Sequence, residues 1–297
     1  MSRKKRWFYF LLFLGLFVVI TPMVILYAAG YRLDSLKNLV ISERGGMYVY
    51  SQIPGTGIYV DDEFKEETGI FNREYKTSNL KPNRYFVKAV HEGYLPWEKY
   101  ITIDPQRVVS LYPFLVPEEF EILKVPRFVE VATSTSATTS STIDDVNPRY
   151  DALLDIFITK GSLSTTTPTV LPDEAVDSIK RVFGKIEVWH EGNDFVALWG
   201  GRGDWMPSYF CENGECANPL VFLTVTSPIT NFNFYPGRDD VVIFSVEDGG
   251  VYVAEIDKRP KQVVAPIYRG GTDVEFRLEG NSSLIIKDGE NLFTVKL

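Results

Sequence analysis

The chain has 297 residues, 45 per cent of them hydrophobic and 24 per cent charged, which allows one or two globular domains and excludes a disordered chain. Its net charge is −8, and setting aside the basic run Arg3-Lys4-Lys5-Arg6 takes the remainder to −12. So acidic a body cannot neutralise phosphates, which argues against nucleic acid as a partner. His91, His190, Cys211 and Cys216 are its only His and Cys, and none has metal-ligand spacing, which argues against a zinc site.

The first element is apolar. Residues 7–29 carry no charge and reach roughly 35 Å as a helix, enough to cross a hydrocarbon core of about 30 Å. With the basic run on its N-terminal side, the positive-inside rule places residues 1–6 in the cytoplasm and the body outside. Ala28-Ala29-Gly30 offers small residues for signal cleavage, but a signal h-region spans only about 7–15 residues. The expectation is therefore an uncleaved single-pass anchor over residues 7–30 in the cytoplasmic membrane, with the lipid bilayer as its partner.

Next come five β-rich runs at 47–51, 57–61, 84–91, 97–103 and 108–116, with turn signals between them, among them Pro54-Gly55-Thr56-Gly57 and Asp61-Asp62. They predict a small antiparallel sandwich over residues 45–117. In the fourth run Lys99 shares a face with Trp97, Ile101 and Ile103, which predicts a place for it at the rim. The order Pro54-Gly55, Ile58-Tyr59-Val60-Asp61, Leu80-Lys81-Pro82, Tyr85-Phe86-Val87 and Gly93-Tyr94 followed by Trp97 resembles the PEGA domain family over about 70 residues. It departs from that family's pattern in three places: the Pro-Glu-Gly-Ala stretch reads Pro54-Gly55-Thr56-Gly57, and Asp62 and Asn83 stand where the family has Gly; Asp and Asn are the non-Gly residues that best tolerate left-handed turns. The resemblance implies a small extracytoplasmic β-module with an envelope role rather than an enzyme.

Residues 118–184 read as a linker. They hold Ser/Thr-rich stretches at 133–142 and 162–169, with short helices expected at 148–159 and 173–183.

From residue 185 to 297 the sequence repeats. Strand–turn–strand units are centred on Val188, Phe234 and Phe276, spaced 46 and 42 residues apart. That period matches a β-propeller blade of about 40–45 residues. Three blades are visible, fewer than the four or more of a closed propeller. The third has no fourth strand before the chain ends, and 120–125 or 127–131 is expected to fill its edge. The predicted fold class is thus all-β behind an N-terminal transmembrane helix, with a PEGA-like β-sandwich followed by propeller-like blades.

Two groups of residues are candidates for a site. Asn213-Gly214 is a strong two-residue hairpin signal. It sets Cys211 opposite Cys216 at a Cα separation near 4.5 Å, within disulfide range. Trp189, Trp199 and Trp205 with Tyr209 are candidates for an aromatic binding surface, against the alternative of core packing. No nucleophile–base pattern, metal motif or phosphate or dinucleotide loop is recognisable, so no catalytic, metal or cofactor residue is assigned and no enzyme is expected. The expected function is a membrane-anchored, extracytoplasmic binding or scaffold protein of the cell envelope. Its partner would be another envelope protein or a surface glycan. The alternative is a carbohydrate-active hydrolase or lyase on the propeller-like region.

Overall fold

The structure is a computed structural model that describes residues 3–28, 31–35, 40–128, 147–159, 179–202, 206–212, 215–280 and 282–297. It is mostly β behind one helix, α1 (Arg3–Ala28). None of α1 is buried, and its most apolar 18 residues have a mean hydropathy of 2.6. By length and composition such a helix is able to cross a membrane, a property that anchors and signal sequences share.

The chain divides into two compact units, the first being Met1–Leu115 with Arg259–Lys261. After α1, β1 (Tyr31–Ser35) and β2 (Val40–Glu43) form a hairpin that brings Glu43 back beside Tyr31. Seven strands follow: β3 (Gly45–Tyr50), β4 (Gly57–Val60), β5 (Glu63–Glu67), β6 (Glu74–Leu80), β7 (Asn83–Val90), β8 (Trp97–Ile103) and β9 (Val108–Leu111). They make two sheets, ordered β6-β3-β9 and β5-β4-β7-β8. Met47 and Val49 of the first and Ile58, Val87, Trp97 and Ile101 of the second are all buried.

Three features differ from the sequence reading. β5 and β6 were not expected, because Glu63, Lys65, Glu66, Glu67, Glu74 and Lys76 break the apolar alternation; both are edge strands, where charge deters pairing with other chains. The sheets are not wholly antiparallel, since β9 runs parallel to β3, with Gly46 opposite Val108. Lys99 is not at the rim but fully buried, and its ammonium donates to the main-chain carbonyl of Arg259 at 3.4 Å, which offsets part of its desolvation.

The turns follow their residue types. Asp61 and Asp62 have φ of +51° and +62°, the left-handed pair of a tight hairpin between β4 and β5. The Asp61 carboxylate also accepts the Phe86 N–H at 2.9 Å. The turn after β3 is held by buried hydroxyls. Ser51 Oγ lies 2.8 Å from Thr56 Oγ1, which donates to the Ile53 carbonyl at 2.7 Å, and Thr68 Oγ1 accepts the Thr56 N–H at 3.0 Å.

The second unit is Val116–Lys258 with Gln262–Leu297. It contains β10 (Ile122–Val125), α2 (Pro148–Thr159) and three four-stranded antiparallel sheets. The first sheet is β11 (Arg181–Phe183), β12 (Ile186–Glu191), β13 (Asp194–Trp199) and β16 (Leu220–Thr224). The small hairpin β14 (Cys211–Glu212) and β15 (Glu215–Cys216) is inserted before its last strand. The second sheet is β17 (Ile229–Phe234), β18 (Val241–Val246), β19 (Gly250–Glu255) and β20 (Val264–Tyr268). The third is β21 (Val274–Glu279), β22 (Ser283–Asp288) and β23 (Asn291–Lys296), completed at its edge by β10.

The expected edge-filling strand is therefore β10, antiparallel to β23 with Ile122 opposite Val295 and Val125 opposite Leu292. The repeat was read one strand out of phase in its first copy. Phe234 and Phe276 lie on the first strands of their sheets, whereas Val188 lies on the second strand of its own. The cause is β11, whose three residues fall within the helix expected at 173–183. Residues 181–183 of that helix are strand, and 173–178 lie outside the described residues, as do both Ser/Thr-rich stretches.

Packing joins the sheets. Ile186, Val188, Phe195 and Phe222 of the first share one core with Phe232, Phe234, Val242 and Phe244 of the second. The third sheet meets α2, whose Tyr150, Leu153 and Phe157 cluster with Val125, Ile285 and Leu292. α2 starts where its sequence dictates: Pro148 is its first residue, and the Asn147 side-chain oxygen accepts the Arg149 N–H at 3.0 Å. The Tyr150 hydroxyl donates to the Glu290 carbonyl, and the Arg277 guanidinium lies over the Phe157 ring. Leu153→Ala should lower unfolding stability by about 2–3 kcal/mol, as a buried Leu truncation does. Ile158→Ala, on the exposed side of α2, should stay within about 0.5 kcal/mol; urea unfolding followed by fluorescence checks both.

Candidate functional site

In sequence, every candidate site residue falls on or between β12 and β16 of the first sheet of the second unit. Its meander is interrupted between β13 and β16 by residues 200–219, of which 203–205 and 213–214 lie outside the described residues. The chain leaves β13 at Trp199 and passes Gly201, where any Cβ would collide with the Trp199 indole. A single 3₁₀ turn, Ser208–Phe210, then places Phe210 in the core shared with the second sheet.

β14 and β15 follow at once. Cys211 stands opposite Cys216 and Glu212 opposite Glu215, as expected. The sulfurs are 2.01 Å apart, at disulfide distance, and the Cα atoms at 3.9 Å are closer than the sequence geometry suggested. The insertion is closed by main chain and by an amide. The Ala217 N–H donates to the Phe210 carbonyl at 2.8 Å. The Asn218 side chain accepts the Trp199 N–H at 2.8 Å and donates to its carbonyl at 3.0 Å, imitating a ladder rung.

Of the aromatic candidates that are described, Trp189 and Trp199 lie on opposite faces of the sheet. Trp199 is opposite Ile186 and faces the shared core, where Tyr209 also packs. Trp189 is opposite Val196 on the other face of the sheet. There its indole N–H donates to the Glu191 carboxylate at 2.8 Å, and the Lys180 ammonium lies 4.8 Å from the ring. Trp205 lies outside the described residues. Of the two histidines, His190 Nδ1 is 3.1 Å from the Gly192 carbonyl and His91 Nδ1 is 3.2 Å from that of Gly55.

The sequence reading missed a charged group beside the core. Arg238, buried in the β17–β18 turn, makes two hydrogen bonds to the Asp240 carboxylate, at 2.6 and 2.7 Å. Burial raises the Asp239 pKa, and the Asp240 carboxylate adds to the effect. Burial also raises the Tyr209 hydroxyl well above its ordinary value, with the carboxylates of Asp240, Asp239 and Asp257 acting in the same direction. Arg-Asp-Asp in a turn was visible in the sequence, but nothing local showed that a neighbouring sheet would bury it. Among the described residues, no group of three or more His, Cys, Asp and Glu is placed to hold a metal ion.

No protein-family model matches the chain, and no curated protein sequence does. Among solved structures, a chain described as the AfRom2 CNH domain is similar at 13 per cent identity and a TM-score of 0.27, over 78 per cent of this chain and 70 per cent of that one. A likeness of that strength places no residue and no activity.

Two outcomes follow from this geometry. Replacing Cys211 and Cys216 together by Ser should leave global stability nearly unchanged, because so short a loop constrains the unfolded chain little. Mass spectrometry after alkylation without reductant should find neither thiol labelled in the parent protein. Asp239 binds its proton more tightly when folded, so it favours folding in acid and loses that contribution as pH rises from the ordinary carboxylate range through its raised pKa. Asp239→Asn should therefore raise the thermal midpoint at pH 7, and the gain should vanish below about pH 4. Melting curves at both pH values check the sign.

Proposed function

We propose that this chain is a membrane-anchored, extracytoplasmic binding or scaffold protein of the cell envelope. α1 would hold it in the cytoplasmic membrane with Arg3-Lys4-Lys5-Arg6 inside. A PEGA-like module would follow outside, with the sheet array as the binding part. The partner would be another envelope protein or a surface glycan.

The observation that carries this reading is α1, uncharged from Trp7 to Ala28, with no buried residue and a basic run at its N-terminal end. Support of a different kind comes from Cys211 and Cys216 at disulfide distance on the body, an arrangement suited to an oxidising compartment. The PEGA likeness adds the order of strands and turns in the first unit, including the left-handed Asp61-Asp62 pair where the family pattern has Gly after Asp.

Topology is the test. Protease added to intact cells stripped of any outer barrier should digest the body and leave a short fragment containing α1 in the membrane. Protection of the body would overturn the reading. The full chain, solubilised from membranes in detergent, should also retain an envelope protein or surface glycan that a chain with scrambled surface charge does not.

A further inference from the structure

The first unit carries its charge unevenly along its strands. The hairpin of β1 and β2 returns Glu43 beside Tyr31, three residues after α1 ends at Ala28. Three residues reach at most roughly 11 Å and paired strands lie about 5 Å apart, so Arg44, the residue before β3, stays within roughly 20 Å of the end of α1. The turns after β6 and β8 meet at this point. Gly45 is opposite Leu80, the Gln106 N–H donates to the Arg44 carbonyl at 2.9 Å, and the Gly46 N–H donates to the Arg107 carbonyl at 2.8 Å. Lys81, Arg84 and Arg107 are exposed there, and among the described residues none of the three is ion-paired. Val108, 65 per cent exposed, stands beside them. The nearest carboxylates are Asp104, half-buried in the turn after β8, and the Asp61-Asp62 turn, which joins β7 at Phe86, three residues back from Asn83. The other end of the strands, where Gly57 stands opposite Glu67 and Val90, has the opposite sign: Glu66, Glu67 and Glu92 against Arg73.

From this end we infer that the first unit rests on the bilayer that α1 would cross, with Lys81, Arg84 and Arg107 bound to the phosphates of anionic phospholipid headgroups. The inference rests on the anchor reading. Two features select the bilayer as the occupant. The chain itself holds this end within roughly 20 Å of the point where α1 leaves the membrane, so the lipid surface is present at a tethered concentration that a diffusing partner does not reach. The charge is complementary as well: exposed cations gather at this one end of a chain whose body is otherwise −12. A guanidinium binds phosphate through two parallel donors, and each Lys or Arg near an anionic leaflet favours contact by roughly fivefold. The same surface repels Glu66, Glu67 and Glu92, so contact is confined to the end next to α1. Val108 among the cations suits the apolar boundary of the headgroup layer.

Reconstitution of the full chain into vesicles tests the contact. Neither native cysteine is free, so Val108→Cys and, in a separate chain, Phe71→Cys each take a single fluorophore. Phe71 is fully exposed in the turn after β5, at the far end of the strands. In phosphatidylcholine vesicles with about 30 per cent phosphatidylglycerol, a nitroxide on the lipid headgroups should quench the label at Val108→Cys at least about threefold more than the label at Phe71→Cys. Adding Lys81→Glu, Arg84→Glu and Arg107→Glu together should bring the first label down to the level of the second. Pure phosphatidylcholine, or about 0.5 M salt, should do the same with no substitution at this end. Equal quenching of the two labels in the anionic vesicles would overturn the contact. So would an excess at Val108→Cys that persists in pure phosphatidylcholine and in high salt, because the tether alone accounts for it. A full chain that carbonate strips from cell membranes defeats the anchor reading alone: reconstitution inserts α1 in either case, and the vesicle measurement still decides whether this end binds anionic lipid.

Discussion

The ladder between β10 and β23 is the constraint on which the second unit depends. β23 ends the chain's last sheet, and without a neighbour it would present a row of unpaired N–H and C=O groups. β10 supplies them from the opposite end of the unit's sequence, with four residues in register from Ile122 to Val125. The loop so closed is long, but closure entropy grows only logarithmically with length, so a few main-chain rungs and a buried face are enough to hold it. Val125 serves both purposes: its main chain pairs with β23 and its side chain joins the cluster under α2. α2 thus sits on a surface that exists only once β10 is in place. Such non-local pairing is intrinsically slow to form, because the loop-closure entropy is spent before its contacts are made.

With that ladder made, the array behaves as a stack of layers. Each sheet alone would bury one face at most. Stacked, the second sheet is apolar on both sides, with all six residues of β18 buried. The end of the stack built from β10 and β23 is finished by a helix whose exposed side carries Arg149, Asp151 and Asp155 beside Ile158. The other end is finished by a three-residue strand, β11, and by Lys180 lying over Trp189. The stem of a lysine covers an indole while leaving the charge wet, which is a lesser closure than a helix gives.

Much of this was legible in the sequence where local chemistry decides structure. The hairpin signal at residues 213–214 implied the cysteine register, the helix expected at 148–159 is α2, and the turn expected at Asp61-Asp62 is present although the strand after it was not foreseen. The inner strands of the second sheet, β18 and β19, were readable because they are buried on both faces and mostly apolar. Legibility failed where position in the fold decides instead. β5 and β6 are charged because they are edges, and an edge is a property of the sheet, not of the strand. β11 has too few residues to show a period, so the first repeat was aligned a strand late. Lys99 looked like a rim residue because nothing nearby in sequence reveals that a main-chain carbonyl from residue 259 meets it. The aromatic candidates were grouped because they are close in sequence, whereas the alternation of β12 and β13 sends Trp189 and Trp199 to opposite faces.

The insertion at 200–219 is where the array departs most from its own repeat. A hairpin of two-residue strands has too few rungs to persist by itself. It is held instead by three local devices: the cysteine pair, the Asn218 amide bridged to Trp199, and Phe210 seated in the core. The cysteine pair closes too small a loop to matter for global stability, so its effect is positional. It fixes Cys211, the residue directly after Phe210, and so fixes how the insertion leaves the core. In a stack of otherwise similar sheets, the described part of this segment is thereby tied to the core at Phe210 and to β13 at Trp199.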